Sequence, residues 1–277
     1  MPSFSERMGI KPMNTIILRD SISIELRNGL WSAFKMVYLD DYAKCERSTI
    51  LSGLWLDYFK YPIDTLPWDW DDVYRDLRKY FFECEWYQVY DFIEFCANNL
   101  KNSNQVFVDY CNIILKRELS AYRFIDGILA PVTSEEEIAE IDDALKKSDS
   151  IRSVHNHLRR AIELFADKKS PDYRNSIKES ISAVEAICGL IIGSEHSTLG
   201  DALKEIERKV VIHPALKKAF SALYGYTSSE GGVRHALLDE PTLDFEDAKF
   251  MLVSCSAFTN YLLAKSSKAG IDLRKGK

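Results

Sequence analysis

One stretch, Tyr226-Thr-Ser-Ser-Glu-Gly-Gly-Val-Arg-His-Ala-Leu-Leu-Asp-Glu-Pro241, leads into a long apolar-rich helical pattern. The Gly-Gly pair predicts a flexible loop, and Asp244 with Asp247 three residues later predicts a helix start. A helix with one apolar face is stable when that face packs against other helices. The stretch therefore predicts a helical bundle for this part of the chain, with Arg234 and His235 just before its last helix.

Further helical patterns precede this stretch, each with apolar residues spaced for one buried face. They cover residues 151–166, 173–192, 199–210 and 214–224. Pro171 and Pro214 stand where a new helix begins, a position at which proline sacrifices no hydrogen bond. The short connections favour an antiparallel bundle, and we predict a helical domain over residues 150–277.

The N-terminal half also has helical patterns, which are unusually rich in aromatic residues. They cover residues 22–39, 51–61, 73–100 and 105–119. Asp20 and Ser21 are predicted to cap the first of these helices, since short polar side chains bind the free N–H groups of a helix start.

A short β-hairpin and an acidic helix are predicted to follow. Residues 121–132 contain Asp126-Gly127, a dipeptide favoured in two-residue hairpin turns because both positions need positive φ. Thr133 or Ser134 is predicted to cap the helix over residues 134–147, and Ser134 is followed three residues later by a glutamate, the spacing of a capping box. The predicted fold is thus mainly α, with residues 1–149 as a first, helical domain that carries a small hairpin.

The composition is that of a globular protein. The chain has 277 residues, 46% of them hydrophobic, which is enough for a sizeable core. No apolar run approaches the length of about 18 residues that a membrane span requires, and the N-terminus lacks the apolar core of a signal peptide. The six cysteines show no CxxC pairing and fall mostly in apolar helical patterns, as reduced core residues do. We predict a cytoplasmic protein that does not bind membranes.

The charge is unevenly distributed along the chain. The net charge is −6, and an acidic protein is a poor general binder of nucleic acid, because Lys and Arg supply most of the affinity for phosphate. Residues 150–277 carry 19 basic and 16 acidic side chains, a local balance of +3. A mildly basic C-terminal half of this kind could still bind a short stretch of RNA locally.

Arg234 and His235 are the one pair grouped tightly enough to suggest catalysis. Arginine clamps phosphate with two parallel hydrogen bonds, and histidine transfers protons near neutral pH. Together they suit metal-independent RNA cleavage, in which histidine takes or gives a proton and arginine stabilises phosphate charge. In the alternative reading Arg234 pairs with Asp239 or Glu240, and His235 binds a loop carbonyl. These two acids are also secondary candidates for assisting His235.

The sequence contains no motif of a metal or nucleotide-cofactor site. There is no HExxH, no pair of CxxC motifs, no GxxxxGK[ST] and no GxGxxG. His155 and His157 are two positions apart on a helical pattern, so they are expected to point to different faces of the helix. We predict that the protein uses neither a metal nor a cofactor.

Three segments of the N-terminal half carry a family resemblance. They are Phe4-Ser-Glu-Arg-Met-Gly-Ile-Lys-Pro12, Glu25-Leu-Arg-Asn-Gly-Leu-Trp31 and Tyr122-Arg-Phe-Ile-Asp-Gly127. This half resembles one of the N-terminal domain types of AbiJ-like abortive-infection proteins of bacteria. The resemblance implies an anti-phage role, in which this domain senses a phage or host trigger.

The C-terminal half carries further segments of this kind. They are Arg159-Arg-Ala161, Ser182-Ala-Val-Glu-Ala-Ile-Cys188, Tyr224-Gly-Tyr226, Gly232-Val-Arg-His-Ala236 and Phe245-Glu-Asp-Ala-Lys249. This half resembles the HEPN-type helical domain that is usually fused to the AbiJ-type domain. The resemblance implies a homodimer in which two sites face each other, and cleavage of RNA when the protein is active.

The HEPN signature and this sequence differ at one position. The signature is an arginine, a polar residue beside it and a histidine several positions further on. Arg234 and His235 fill the first two slots, whereas residues 236–240 contain no histidine. In one alternative the protein is an endoribonuclease in which His235 has taken over proton transfer. In the other, the HEPN domain is degenerate, and the protein is a non-catalytic sensor or scaffold that binds RNA or protein.

The aromatic run from Trp68 to Phe95 bears on the second alternative. Few basic residues lie between its aromatic residues, so the run is not typical of a surface on which bases stack. Core packing or a partner-binding face is the prediction, and as a scaffold the protein would bind its partner through Trp68, Trp70 and Trp86.

Overall fold

The computed structural model describes residues 4–8, 10, 17–40, 44–100, 104–167, 170–193, 207–208, 212–228 and 243–273. The chain forms two compact units, Met1–Thr133 and Ser134–Lys277, each of which is helical. The predicted mainly α fold is confirmed, and the only strands within the described residues belong to a two-stranded hairpin.

The described residues of the first unit form six α-helices, a short 3-10 helix (Ile63–Thr65) and the hairpin. The helices are α1 (Phe4–Arg7), α2 (Ile24–Phe34), α3 (Lys44–Gly53), α4 (Trp70–Glu83), α5 (Trp86–Asn99) and α6 (Asn104–Arg117). Helix α2 continues as a π-helix over Lys35–Asp40, and α3 continues as one over Leu54–Tyr58. The strands β1 (Arg123–Ile125) and β2 (Ile128–Ala130) pair antiparallel, with Phe124 opposite Leu129.

Aromatic side chains fill the core of the first unit, where α2 packs against α4, α5 and α6. The ring centroids of Phe34 and Phe92 are 4.9 Å apart and those of Tyr38 and Phe107 are 5.0 Å apart, both within the range of favourable aromatic pairs. Phe81 also packs on Phe92, at 5.5 Å. Most aromatic side chains of the run from Trp68 to Phe95 therefore lie in this core or pack against it, as the core-packing prediction stated.

The start of α2 and the break between α4 and α5 differ from prediction. Ser23, rather than Asp20 or Ser21, caps α2, because its hydroxyl accepts the Leu26 N–H at 3.0 Å. Residues 73–100 were predicted as one helix, yet the chain breaks at Cys84 and Glu85.

Two contacts explain this break. The Glu85 and Gln88 side chains form a capping box that starts α5. Arg27, which is buried in α2, donates to the Phe81 carbonyl at 2.6 Å and to the Cys84 carbonyl at 3.0 Å. The guanidinium thus satisfies carbonyl groups that the end of α4 leaves without helical partners.

Gly29 allows α2 and α6 to approach each other closely. A Cβ atom at Gly29 would lie 2.6 Å from Ile114 Cγ2, which belongs to a stiff β-branched side chain. At Gly53, also helical, the nearest atom would be Leu100 Cδ2 at 3.8 Å, an ordinary contact. We expect the free energy of unfolding to be about 1–3 kcal/mol lower for Gly29→Ala than for Gly53→Ala. Urea denaturation of the two variants measures this difference. Equal stability of the two variants would contradict this close contact.

The hairpin turn has the geometry that its sequence predicts. Asp126 and Gly127 have φ angles of 48° and 78°, so both are in the left-handed region that a two-residue turn requires. The Asn98 amide donates to the Gly127 carbonyl at 2.8 Å, and the Glu94 carboxylate accepts the Leu129 N–H at 2.7 Å. Burial raises the pKa of Glu94. Helix α5 therefore anchors the hairpin.

The second unit is built from five α-helices within its described ranges. They are α7 (Glu135–Ser148), α8 (Arg152–Ala166), α9 (Tyr173–Ile192), α10 (Pro214–Ser228) and α11 (Phe245–Lys268). Helix α9 is central, because α8, α10 and α11 all pack against it. The predicted caps Ser134 and Asp244 are confirmed, since each side chain accepts an N–H three residues later.

The acidic helix α7 packs against α8 and α11. The Glu137 carboxylate lies 3.0 Å from Lys249 Nζ, and the Asn260 amide donates to the Glu140 carbonyl at 2.9 Å. Contacts of this kind place the boundary between the compact units at Thr133 and Ser134. The domain boundary predicted from the sequence lies at residues 149 and 150, beyond this helix.

Four of the cysteines are buried core residues, as predicted: Cys96, Cys111, Cys188 and Cys255. All four are free thiols, and burial raises the pKa of each, to about 12 for Cys188 and Cys255.

Within the described part of the chain, no helix combines the length and apolar character that a membrane span requires.

Candidate functional site

The four site residues predicted from the sequence, Arg234, His235, Asp239 and Glu240, lie outside the described residues. The two helices on either side of them are described: α10 ends at Ser228 and α11 begins at Phe245. Both helices pack against α9. The assignment of catalysis to these four side chains therefore stays a prediction.

His157 and Glu179 meet on the surface of the second unit. The sequence pattern did not predict this contact. Helices α8 and α9 form an antiparallel hairpin whose register is fixed by the Ser176 hydroxyl, which donates to the Ala161 carbonyl at 2.8 Å. Further from the connection, His157 Nδ1 lies 2.7 Å from Glu179 Oε2. We call this pair the His157–Glu179 dyad.

The dyad has a geometry that suits proton transfer. A carboxylate at Nδ1 orients the imidazole ring and leaves Nε2 to accept or donate a proton. No hydrogen bond to Nε2 of His157 is found among the described residues. Arg160, one helical turn further along α8, supplies a cation on the same side of the helix, although its guanidinium also donates to Glu163 at 2.9 Å.

The dyad is exposed to the extent that is usual for a simple ion pair on a protein surface. The His157 and Glu179 side chains are 38% and 30% exposed. A pair this accessible to water contributes at most about 1 kcal/mol to stability. The dyad therefore adds little to the fold, and its value as a proton-transfer group depends on what binds beside it.

His155 and His157 contact different neighbours, as expected for side chains that point to different faces of one helix. His155 Nδ1 lies 3.3 Å from the Leu145 carbonyl at the end of α7, whereas His157 contacts Glu179 on α9. Across the residues that the structure describes, no three His, Cys, Asp or Glu side chains are grouped so that they could hold a metal ion.

The first unit contains all five tryptophans of the chain and exposes one of them completely. Trp68 has a relative exposure of 105%, whereas Trp70 and Trp86 are partly buried. Of the three tryptophans predicted to bind a partner, Trp68 alone is thus fully available.

Comparison with known proteins gives one family match. Residues 2–147 match the family model described as AbiJ N-terminal domain 4. The match covers more than half of the chain and includes the whole first unit except its first residue. No curated protein sequence and no solved structure matches the chain.

Proposed function

Because the chain belongs to the family of AbiJ N-terminal domain 4 proteins, we propose that it is a bacterial abortive-infection protein that protects cells against phage. The match of residues 2–147 is the observation that carries this proposal. In it, the N-terminal unit senses a phage or host trigger and the C-terminal unit acts on the cell. We thus assign the predicted anti-phage role to the whole chain.

For the C-terminal unit we propose a HEPN-like, metal-independent endoribonuclease that works as a homodimer. Helices α8, α10 and α11 pack against α9, and α7 packs against α8 and α11. This arrangement supports an all-helical effector. Arg234 and His235 lie in the segment between α10 and α11, where the HEPN-like signature falls in the sequence. The basic balance of residues 150–277 favours RNA as the substrate.

The proposed reaction moves protons at two oxygen atoms of RNA. His235 accepts the proton of a ribose 2′-hydroxyl, whose oxygen attacks the adjacent phosphorus atom. The bond from phosphorus to the 5′-oxygen breaks, and a protonated histidine of the composite dimer site returns a proton to that oxygen. Arg234 stabilises the additional negative charge on the phosphate. The products are a 2′,3′-cyclic phosphate and a free 5′-hydroxyl.

Purified protein with EDTA and total bacterial RNA tests this reaction. We expect cleavage by the wild-type chain in EDTA, and a rate at least about 100-fold lower for Arg234→Ala and for His235→Ala, since each removes a group that acts on the transition state. His157→Ala serves as the control because it removes a partly exposed imidazole that lies outside the segment between α10 and α11.

Two outcomes would overturn the assignment. If EDTA abolishes cleavage, or no class of RNA is cut, the metal-independent nuclease is excluded. If His157→Ala loses cleavage while His235→Ala keeps it, proton transfer belongs to the His157–Glu179 dyad instead.

A second candidate function is a non-catalytic sensor or scaffold that carries a degenerate HEPN domain. The fully exposed Trp68 favours it, together with the missing histidine in residues 236–240. This alternative predicts that His235→Ala leaves phage protection intact, whereas Trp68→Ala removes it. The two functions are therefore separated by the same set of variants in cells.

A further inference from the structure

Four large apolar side chains are exposed on one short stretch of the first unit. They are Leu56, Tyr61, Ile63 and Trp68, which we call the Trp68 surface. Trp68 is completely exposed, and a tryptophan left in water forgoes more burial energy than any smaller apolar side chain. Tryptophan is also one of the residues that most often dominate the energy of protein interfaces.

Hydrogen bonds hold this stretch in place on both sides of its apolar side chains. The Trp55 indole N–H donates to the Thr65 hydroxyl at 3.0 Å, and that hydroxyl donates to the Pro62 carbonyl at 2.7 Å. Asp69, directly after Trp68, caps α4 by accepting the Asp71 N–H at 2.8 Å. A partner would thus meet a surface that is already ordered and would lose little free energy in arranging it.

The same stretch is strongly acidic. Residues 56–76 contain six aspartates and two basic residues, a balance of −4. Asp69, Asp71 and Asp72 lie at the start of α4, where negative charge stabilises the helix.

Three other aspartates, Asp57, Asp64 and Asp76, have no such role. They are exposed, and no ion pair or hydrogen bond of their carboxylates is found among the described residues. Their charge is therefore not explained by the fold.

We propose that the Trp68 surface binds a basic segment of a protein partner, with Trp68 as the anchor and the aspartates of the same stretch as the charge complement. Basic side chains are attracted to the unpaired carboxylates, and a guanidinium or ammonium group also stacks favourably on an indole ring. RNA and anionic membranes carry the wrong charge for this surface. The inference rests on the proposed function, because it assigns the trigger sensed by the N-terminal unit to a chemical class.

Binding of a defined peptide to the full-length protein tests this proposal. The probe is a fluorescein-labelled peptide of alternating lysine and leucine, and its counterpart has glutamate in place of lysine. Fluorescence anisotropy is measured with wild type, Trp68→Ala and Tyr87→Ala, the last being an exposed aromatic residue of the same unit outside the Trp68 surface. A double variant, Asp57→Asn with Asp64→Asn, tests the charge.

The lysine peptide is expected to bind the wild type and the glutamate peptide to fail. Trp68→Ala should weaken binding at least about 10-fold, as loss of an interface anchor does, while Tyr87→Ala changes it less than about 2-fold. The double asparagine variant and an increase in salt should both weaken binding, because both reduce the attraction between opposite charges. Unchanged thermal melting of Trp68→Ala shows that the fold is intact.

The proposal is overturned if both peptides bind equally, or if Trp68→Ala and Tyr87→Ala bind the lysine peptide alike. It is also overturned if poly(U) RNA or phosphatidylserine vesicles bind the wild type and this binding is lost in Trp68→Ala. The assay needs neither phage nor nuclease activity. A failure of the proposed nuclease and a failure of this surface are therefore separate results.

Discussion

Phe34→Ala is expected to lower the free energy of unfolding of the first unit by about 3–5 kcal/mol. Phe34 is fully buried, and its ring centroid lies 4.9 Å from that of Phe92, 5.7 Å from that of Trp31 and 5.8 Å from that of Tyr38. Truncation removes the contacts of all three rings and leaves a cavity that stiff aromatic neighbours cannot fill. Urea denaturation followed by circular dichroism measures the change.

Met36→Ala is the matched control for this variant. Met36 lies two residues further along the same helical segment, but 52% of it is exposed. We expect its replacement to change the free energy of unfolding by less than about 0.5 kcal/mol. If both variants unfold at the same urea concentration, the aromatic cluster is not the part of the first unit on which stability depends.

The second large effect is expected for Arg27→Met, which should cost about 2–4 kcal/mol of stability. Methionine fills much of the space of arginine, but it cannot donate the hydrogen bonds that Arg27 makes to the Phe81 and Cys84 carbonyls. These acceptors at the negative end of α4 would lose their guanidinium donor, and the Phe81 carbonyl would keep only the weak Cys84 thiol donor at 3.6 Å. Thermal melting and urea denaturation should show the loss in the first unit.

Arg75→Met separates the loss of this cap from the loss of a positive charge. The Arg75 guanidinium lies 2.6 Å from the Asp72 carboxylate, and both side chains are exposed to water. An exposed ion pair of this kind is expected to contribute less than about 0.5 kcal/mol. Equal effects of Arg27→Met and Arg75→Met would show that the contacts at the end of α4 do not stabilise the fold.

Features that depend on close neighbours in the chain were predictable from the sequence. Ser134 and Asp244 each bind an N–H three residues later, and the Asp126-Gly127 turn needs only its own φ angles. Helix α2 shows the limit of such signals, because several side chains that can cap a helix precede it. Ser23 is the one whose hydroxyl reaches the Leu26 N–H, and the local pattern did not distinguish it from Asp20 or Ser21.

Features that depend on distant contacts were missed. The apolar pattern runs through residues 73–100 without interruption, so it could not show that α4 ends at Glu83. The Arg27 contact with the Phe81 carbonyl joins residues 54 positions apart in the chain. An arginine in the middle of an apolar helical pattern was nevertheless visible, and it was the signal that a buried acceptor must exist.

The candidate site was predictable in part. The His157–Glu179 dyad depends on the register of the helical hairpin, in which His157 lies nine residues before the end of α8 and Glu179 six residues after the start of α9. Glu179 is 22 positions away from His157 in the chain, so the sequence pattern offered His157 only His155 as a neighbour. Arg234 and His235 were found because they adjoin in sequence, and spacing alone does not define the contacts that would make them catalytic.

Phage challenge of cells that carry wild type, Arg234→Ala or His235→Ala, with total RNA examined after infection, tests the central claim most directly. We predict that the wild-type protein protects the culture and that its RNA is fragmented. In both variants we expect protection to be lost while RNA stays intact. Protection that persists in both variants, with no RNA fragmentation in any culture, would contradict the nuclease and leave the sensor or scaffold as the function.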